Sequence, residues 1–312
     1  MSGFDAALKI DYLPVVRNQL ENMNVLVKEL YKNADRESVI GKEVQLALHS
    51  GRNTGVGAAA DDGALPTAEK QDITKSTIAM KYVYGRLTVT GPTIKASSTS
   101  EGALARALEF EMKGLTADLK DKVSTFTWST SVGADDPASI TEIVSDTGTF
   151  QGIDRSAQTW WKAVKKGNSG TDRALTLALM QDAFSASEKA GADVSKLHIF
   201  TEFALRDKYA ALLTADKRFV NKMQLDGGFE ALEFNGRPVI ADPKAVAESF
   251  FFVDMSSVGL YIMQDFDWMD KDGAILSRVA NKDSYEAVLY SYYNLGAERC
   301  NVHVLLNDII NT

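Results

Sequence analysis

The 312-residue chain contains three histidines, and none of them lies in a pattern typical of a catalytic or zinc site. A zinc protease places two imidazoles on one helical face with the motif H-E-x-x-H, and a serine hydrolase carries its nucleophile in G-x-S-x-G. Neither motif occurs, and His49 and His303 each fall in a segment that alternates like a strand. Isolated histidines are usually structural or exposed, although distant carboxylates can still converge in a fold. The sequence therefore lowers the expectation of an enzyme without removing it.

Residues 55–60 satisfy the loose dinucleotide-binding pattern G-x-G-x-x-A and follow a predicted strand. A phosphate site of this kind requires a helix whose free N–H groups face the anion. An Asp-Asp-Gly run at 61–63 and Pro66 interrupt any such helix. The pattern therefore predicts a loop and no cofactor site.

Four aspartates before a glycine resemble a calcium-binding loop, because several carboxylate oxygens on a tight turn can coordinate a hard cation. When the loop is counted back from Gly273, however, its first ligand position is Trp268 and its final glutamate position is Val279. We therefore expect a solvated acidic turn and no EF-hand, with an irregular cation site as the alternative. The aspartates are Asp265, Asp267, Asp270 and Asp272.

The composition is that of an ordinary globular protein, with 45% hydrophobic and 24% charged residues. A formal net charge of −8 gives no general attraction to phosphate, which disfavours direct reading of nucleic acid. Cys300 has no second thiol for a disulfide or a zinc site, so inert packing is expected, with a nucleophile as the alternative. No secretory signal or membrane-spanning stretch is recognised, which predicts a protein made in the cytoplasm.

Apolar residues near the N-terminus recur at alternating spacings of three and four, which predicts an amphipathic helix. Pro14 suits its opening turn. A coiled coil needs about three to four heptads, so this shorter stripe is expected to dock on its own or a neighbouring subunit. The stripe consists of Leu13, Val16, Leu20, Met23, Val27 and Leu30.

Two alternating segments flank a long glycine-rich stretch and predict a β-hairpin with a projecting tip. The first covers Val44 to Leu48, and the second begins at Ile78 and changes phase near Gly85, where a bulge or bend is expected. The intervening residues 50–72 far exceed the usual connection of about 4–6 residues. We expect this tip to extend from the subunit and contact a partner, and a floppy surface loop is the alternative.

The clearest predicted element is a helix over Glu101–Trp128, which follows a capping-box sequence at 98–101. At 1.5 Å per residue it would be about 40 Å long, well above the mean for globular helices. Gly114 lies near its middle, where glycine costs about 1 kcal/mol relative to alanine. Either a bend in the helix or close packing of another chain would explain a glycine there.

The remaining sequence mixes helices and strands, which indicates an α+β fold. Thr171 or Asp172 is expected to cap a helix that continues to Gly191, and a second helix is expected at about 202–213. Strands are expected at Arg237–Ala241, Phe250–Val253, Val258–Met263, Ala287–Tyr293 and Val302–Leu306.

The order of these elements and three short stretches resemble the major capsid proteins of tailed double-stranded DNA bacteriophages, which have the Hong Kong 97-type fold. The resemblance covers nearly the whole chain. The stretches are His49-Ser50-Gly51-Arg52-Asn53-Thr54-Gly55 leading to Ala64-Leu65-Pro66, Phe234-Asn235-Gly236-Arg237-Pro238-Val239 leading to Phe252-Val253-Asp254, and Asn294-Leu295-Gly296.

The resemblance implies five segments along the chain. They are an N-terminal arm at 1–40, an extended loop at 41–96, a peripheral domain with its spine helix at 97–165, an axial domain at 166–260, and strands at 261–312 that return to complete the peripheral domain.

By this resemblance the chain is a structural subunit of a virion and not an enzyme. Copies would assemble as hexamers and pentamers into an icosahedral head shell, made in the host cytoplasm, that encloses phage DNA without sequence-specific binding. A portal is the expected partner, with separate scaffolding or decoration proteins as further candidates and no cofactor or membrane. An encapsulin-like cargo compartment is the alternative with the same fold, and an uncharacterised α+β enzyme is the alternative from another class.

Two segments are expected to join subunits, and Gly114 is expected to be the bend of the spine helix. Some relatives form a Lys–Asn crosslink, and Lys70 and Lys75 lie near the loop, but no asparagine matches around 287–288, so this chemistry is not transferred. The expected contacts are Gly51, Arg52, Asn53, Gly55, Gly57, Leu65 and Pro66 in the extended loop, and Leu20, Met23 and Val27 in the arm.

Overall fold

The structure is a computed structural model that describes residues 13–21, 25–35, 39, 41–97, 101–215, 222–224, 230–270 and 274–310. Its helices are α1 (Leu13–Glu21), α2 (Val25–Lys32), α3 (Gly91–Ser97), α4 (Glu101–Thr127), α5 (Ile140–Ile143), α6 (Leu177–Lys189) and α7 (Phe203–Ala215). The 27-residue α4 confirms the long helix expected from the sequence. No helix within the described ranges is long and apolar enough to cross a membrane.

The strands confirm the α+β class. In chain order they are β1 (Glu43–His49), β2 (Ile73–Ala79), β3 (Lys81–Thr90), β4 (Thr149–Phe150), β5 (Ile153–Asp154), β6 (Val164–Lys166), β7 (Leu197–Thr201), β8 (Lys222–Gln224), β9 (Glu230–Phe234), β10 (Arg237–Ala241), β11 (Phe250–Asp254), β12 (Val258–Trp268), β13 (Ser277–Arg278), β14 (Ser284–Ala297) and β15 (Val304–Leu306).

One sheet is built on the long antiparallel pair of β3 and β14, with β12 and β13 also paired to β14. Helix α4 packs across one face of this sheet. The bulge expected at Gly85 is absent, because β3 runs past it in continuous register, opposite Leu289. The change of phase lies instead at Met80, which separates β2 from β3. Gly85 serves another purpose: it allows β3 to pass close beneath α4.

The second sheet has seven strands in the order β6, β15, β11, β7, β10, β9, β8, with α6 packed against it. Its strands bury side chains on both faces, and all five residues of β11 are buried. Helix α6 begins later than the sequence predicts: Thr176, not Thr171 or Asp172, is the N-cap, and its side chain accepts the N–H of Leu179. At the other end Gly191, with φ +82°, follows the helix as expected.

The end of α4 is fastened to the seven-stranded sheet by aromatic packing. The Trp128 ring lies edge-on to Phe200, with centroids 5.9 Å apart, and to Phe251 at 5.2 Å. Trp128 is only 3% exposed. An exposed ion pair between Lys244 and Asp121 adds a second link, at 2.7 Å. The long helix thus spans both sheets, with its C-terminal end fixed to the second.

The C-terminal strands divide between the two sheets. Strand β14 pairs with β3 over ten residue pairs, whereas β15 lies between β6 and β11 of the seven-stranded sheet. The segment 261–312 therefore contributes strands to both sheets.

Candidate assembly surfaces

The predicted hairpin is confirmed: β1 and β2 pair antiparallel from Glu43 opposite Ala79 to His49 opposite Ile73. The N–H of Ser50 donates to the carbonyl of Asp72 at 2.9 Å and closes the ladder. Beyond that bond lies the 23-residue sequence 50–72, which we call the tip. Residues 55–60 within it form no helix, so the phosphate-site geometry is not built there.

The two sides of the tip lie close together and are joined by hydrogen bonds. The side chain of Asn53 donates to the carbonyl of Glu69 at 3.0 Å and accepts the N–H of Gly55 at 2.7 Å. A Cβ on Gly55 would lie 2.6 Å from the Thr67 carbonyl oxygen, which leaves no room for a side chain. Asn53 and Gly55 therefore shape the tip, which differs from a floppy loop.

The tip presents apolar side chains to solvent. Val56 and Leu65 are each 83% exposed, and Ile73 at its base is 62% exposed. Arg52 is exposed beside them, and Pro66 is half-buried against Gly57. The side chains of Val56, Leu65 and Ile73 are left largely unburied by their own chain. Contact with a second surface that buries them would therefore be favourable.

The arm residues divide between buried and undescribed positions. Val27 is 3% exposed and belongs to the core of its own chain, together with neighbours on α2. Its side chain is therefore covered by the subunit itself. The arm also adds a short parallel bridge to β12, where the N–H of Asp35 donates to the Leu260 carbonyl at 2.8 Å. The side chain of Leu20, Met23 and the capping sequence at 98–100 lie outside the described residues.

Gly114 lies on the exposed side of α4, and no atom comes within 4 Å of the position that its Cβ would take. Packing within the described part of the subunit therefore does not explain this glycine. Phe110, one turn earlier on the same face, is 76% exposed. Together they leave an apolar, weakly helix-forming stretch of α4 open to solvent.

Four tyrosines form a patch on the face of the first sheet that α4 does not cover. Tyr292 lies at the centre, 4.9 Å from Tyr82 and 5.1 Å from Tyr290 between ring centroids, with Tyr84 at 6.2 Å. Partial burial and the neighbouring Tyr84 raise the pKa of Tyr292 to about 12. Sequence reasoning missed this patch, although the alternating tyrosines of β3 and β14 are the signal that would have found it.

A buried serine–histidine contact is the nearest approach to a catalytic group. Ser257 Oγ lies 3.3 Å from Nε2 of His303, but the N–H of Asp254 donates to Nδ1 of the same ring at 3.2 Å. Since Nδ1 accepts, the proton of the neutral ring lies on Nε2, so His303 cannot take a proton from Ser257 there. Burial lowers the pKa of His303 to about 4. The cluster is structural.

Cys300 is fully buried beside Arg155, whose guanidinium lies 3.7 Å from the sulfur. Burial raises the pKa of the thiol to about 12 despite the neighbouring cation, so the reactive thiolate is suppressed. This agrees with the inert packing expected from the sequence. Arg155 itself donates to the backbone carbonyls of Glu142, Ile143, Thr147 and Trp161.

The acidic run begins on a strand and not on a turn, because Asp265 and Asp267 both lie on β12. Their carboxylates accept N–H groups of the residues that follow them, which satisfies them locally. Asp272 and Gly273 lie outside the described residues. Within the described ranges, no three His, Cys, Asp or Glu side chains are grouped so that they could hold a metal ion.

Comparison with solved structures identifies the fold. The capsid subunit of cyanophage A-1(L) matches with a TM-score of 0.70 at 18% identity, over 91% of this chain and 92% of that chain. The capsid of an empty GTA particle matches with a TM-score of 0.61 at 14% identity, over 90% of each chain. The SrpI encapsulin of Synechococcus elongatus PCC 7942 matches with a TM-score of 0.57 at 11% identity, over 91% and 88%.

No protein-family model and no curated protein matches the sequence. The likeness lies in the fold, which is the Hong Kong 97-type shell fold expected from the order of elements.

Proposed function

We propose that this chain is the structural subunit of an icosahedral phage head, in which copies assemble as hexamers and pentamers around the packaged DNA. The observation that carries the proposal is the match to the cyanophage capsid subunit, which covers 91% of this chain and 92% of that chain. A fold alone does not fix a function. Features of this chain's own surface provide the second support.

A shell requires subunits with large complementary surfaces, since a stable contact buries about 1,200–2,000 Å² in total. The tip of the hairpin suits such a contact because Val56 and Leu65 are exposed in the single subunit. A projecting element that contacts a different surface of the next copy makes a head-to-tail interface, and such an interface forms a ring when the rotation between copies closes. Hexamers and pentamers are rings of this kind.

We assign roles to the segments accordingly. Residues 1–40 act as the arm and 41–96 as the extended loop, with contacts through Gly51, Arg52, Asn53, Gly55, Gly57, Leu65 and Pro66. Residues 97–165 provide the spine of the peripheral domain, 166–260 the axial domain, and 261–312 the return strands. Leu20 and Met23 are the remaining candidates for arm contacts.

The net charge of −8 suits a wall that encloses DNA without binding it tightly, because packaged phosphate would not be attracted to the shell. A portal at one vertex, and separate scaffolding or decoration proteins, would be the other partners. The protein would act in the virion after synthesis in the host cytoplasm.

An encapsulin-like compartment is the second candidate, favoured by the match to the SrpI encapsulin over 91% of this chain. The cyanophage capsid subunit has the higher TM-score, 0.70 against 0.57, and the head shell is therefore preferred.

Electron microscopy of the purified protein tests the proposal. We expect closed icosahedral particles of a size able to hold a phage genome. Small shells filled with a protein cargo would favour the compartment, and discrete small oligomers under all assembly conditions would contradict both.

A further inference from the structure

The base of the β1–β2 hairpin contacts the rest of the chain through apolar packing and through hydrogen bonds. Val44, Ile78 and Met80 form with Tyr261 an apolar cluster separate from the two larger cores, and Leu48 reaches one of those cores. Apolar burial has no directional preference, so it is compatible with several orientations of the hairpin. Hydrogen bonds depend on distance and angle, so they are the contacts that can fix its direction.

Gln151 supplies such hydrogen bonds at the point where the hairpin meets β14. Its carbonyl accepts the N–H of Thr77 on β2 at 3.1 Å. With the side-chain amide oriented so that both of its ends are satisfied, the nitrogen donates to the Ala297 carbonyl at 2.9 Å and the oxygen accepts the Ala297 N–H at 2.7 Å. The same nitrogen lies 2.8 Å from Oγ of Ser76. One residue therefore binds β2 through its backbone and β14 through its side chain.

Strand β14 has both the room and the hydrogen-bonding groups for this amide. Its pairing with β3 ends where Tyr293 lies opposite Lys81, so Ala297 lies beyond β3. The Gln151 amide binds the N–H and the C=O of Ala297, as a residue of a neighbouring strand would. A Cβ on Gly296 would lie 2.7 Å from this amide, so the glycine provides the space that it occupies.

Glutamine is an unusual residue for the backbone position of Gln151. Strands β4 and β5 are joined by the two-residue turn Gln151-Gly152, in which both residues have positive φ, +53° and +78°. Asparagine followed by glycine is the preferred pair in a turn of this kind, and a left-handed backbone is uncommon for other side chains. The glutamine is thus unfavourable for the turn, and its extra methylene gives the reach to Ala297. A strained residue of this kind points to a role outside the turn.

We propose that Gln151 is the positioning residue that sets the direction in which the hairpin leaves the subunit. The inference rests on the proposed function, in which that direction decides whether Val56 and Leu65 of the tip meet the next copy. Clefts lie on both sides of the base, one of about 530 Å³ lined by residues 46–49 of β1 and one of about 350 Å³ lined by residues 77–79 of β2. The hairpin therefore has space to tilt when the Gln151 contact is lost.

A small tilt at the base is enough to displace the contact surface. Seven residues of β1 extend about 23 Å at 3.3 Å each, so a tilt of about 10° moves the far end of the ladder by about 4 Å. A displacement of that size exceeds the tolerance of a packed interface, in which side chains interdigitate without voids.

Gln151→Asn tests the proposal, because it keeps a residue favoured in the turn and removes only the reach. The amide moves back by one methylene, about 1.5 Å, which takes both bonds to Ala297 beyond hydrogen-bonding distance. The loss should lower the ratio of docked to tilted hairpins about five- to thirtyfold.

The direction of the hairpin is measured in the unassembled subunit as the distance between two spin labels. The labels are attached at Ile73→Cys, at the far end of the hairpin ladder, and at Thr88→Cys on β3, both at exposed positions. Cys300 is buried and stays unlabelled. We expect a narrow distance distribution with Gln151 and a broad one with Gln151→Asn. Without labels, Gln151→Asn should give fewer closed particles by electron microscopy.

Gly152→Ala is the matched control in the same turn. Its Cβ would meet no atom within 4 Å, but its φ of +78° strains any side chain, so the variant lowers stability and leaves the Gln151 amide in place. We expect a lower melting temperature with a narrow distance distribution and closed particles. Gln151→Asn should show the reverse, with a melting temperature within about 4 °C of the parent. The pair separates the direction of the hairpin from the stability of the subunit.

Two outcomes would overturn the proposal. One is a parent-like distance distribution in Gln151→Asn, and the other is a broadened distribution together with a parent-like yield of closed particles. Because the distances are measured on single subunits, they decide the role of Gln151 even if the parent forms no particles. That last result would contradict the proposed function itself.

Discussion

The Cβ atom that Gly85 lacks would lie 2.9 Å from Cδ1 of Leu119, because β3 passes directly beneath α4 at this residue. Leu115 would be nearly as close, at 3.1 Å. We expect Gly85→Ala to destabilise the unassembled subunit by about 1–2 kcal/mol, since both leucines would have to move in a packed interface. Urea unfolding followed by circular dichroism measures the change. An unchanged free energy of unfolding would mean that the two leucines can move away from the added methyl group at little cost.

Gly114 on the same helix is the matched control, because it lies in open space. Gly114→Ala should stabilise the unassembled subunit by about 0.5–1 kcal/mol through the higher helix propensity of alanine.

The same Gly114→Ala variant tests whether the helix bends during particle maturation. The resemblance implies a spine helix that is bent in immature particles and straighter after expansion, so alanine should ease expansion. The temperature or pH of expansion is compared between variant and parent particles. An unchanged transition with normal assembly would contradict the hinge, and failed assembly would point to packing by a neighbouring subunit.

Removing the tip should separate folding from assembly. Residues 51–71 are replaced with Asn-Gly, which joins Ser50 to Asp72 through a two-residue hairpin turn and preserves their hydrogen bond. We expect a folded subunit with a melting temperature close to that of the parent, because the tip contributes few buried side chains. Particle yield by electron microscopy should fall at least about tenfold if the tip carries the contact. A particle yield equal to that of the parent would show that the tip is not needed for assembly.

A charged side chain at a buried position of the arm should destabilise the unassembled subunit. Val27→Lys would place an unpaired ammonium in the core and is expected to cost several kcal/mol. Val15→Lys, at a position 50% exposed, is the control and should change stability by less than about 0.5 kcal/mol. Thermal unfolding of the unassembled protein gives both values. Equal stability of the two variants would contradict the docking of α2 seen in the structure.

Acid should destabilise the fold through His303. Burial lowers its pKa from 6.5 to about 4, although the nearby Asp254 opposes the shift. The unfolded chain therefore binds the proton more readily than the folded chain does. The contribution of the neutral ring to the free energy of unfolding is complete above about pH 6.5 and is lost as the pH falls through 4. The loss would approach ~3 kcal/mol.

The matched variant is His303→Asn, whose side-chain oxygen can still accept the Asp254 N–H but does not titrate. The urea midpoint of the parent should fall between pH 6.5 and 4, and the variant's should fall less. Identical slopes would assign acid sensitivity to other groups.

Local patterns predicted the elements well where periodicity was strong. The α4 helix, the β1–β2 hairpin and Arg237–Ala241 all follow from spacings visible in the sequence. At Gly85 the same reasoning failed, because a glycine in a strand indicates either a bulge or a close approach, and only the position of Leu119 decides between them.

The candidate surfaces depended more on tertiary context. Val27 belongs to an apolar stripe that would suit either a neighbour or its own core, and the placement of α2 resolves this in favour of the core. Among the described strands β1 pairs only with β2, and sequence periodicity does not contain this information about which strands are neighbours. The contact of Ser257 with His303 joins residues 46 positions apart and has no local signal.

The position of β15 has a consequence for synthesis. Residues 304–306 insert between β6 and β11, so the central layer of the seven-stranded sheet stays open until this segment has left the ribosome. A nascent chain halted before it would leave β6 and β11 without the strand that lies between them. Premature termination products would therefore lack a complete sheet, and in the proposed shell we expect them to be excluded from assembly.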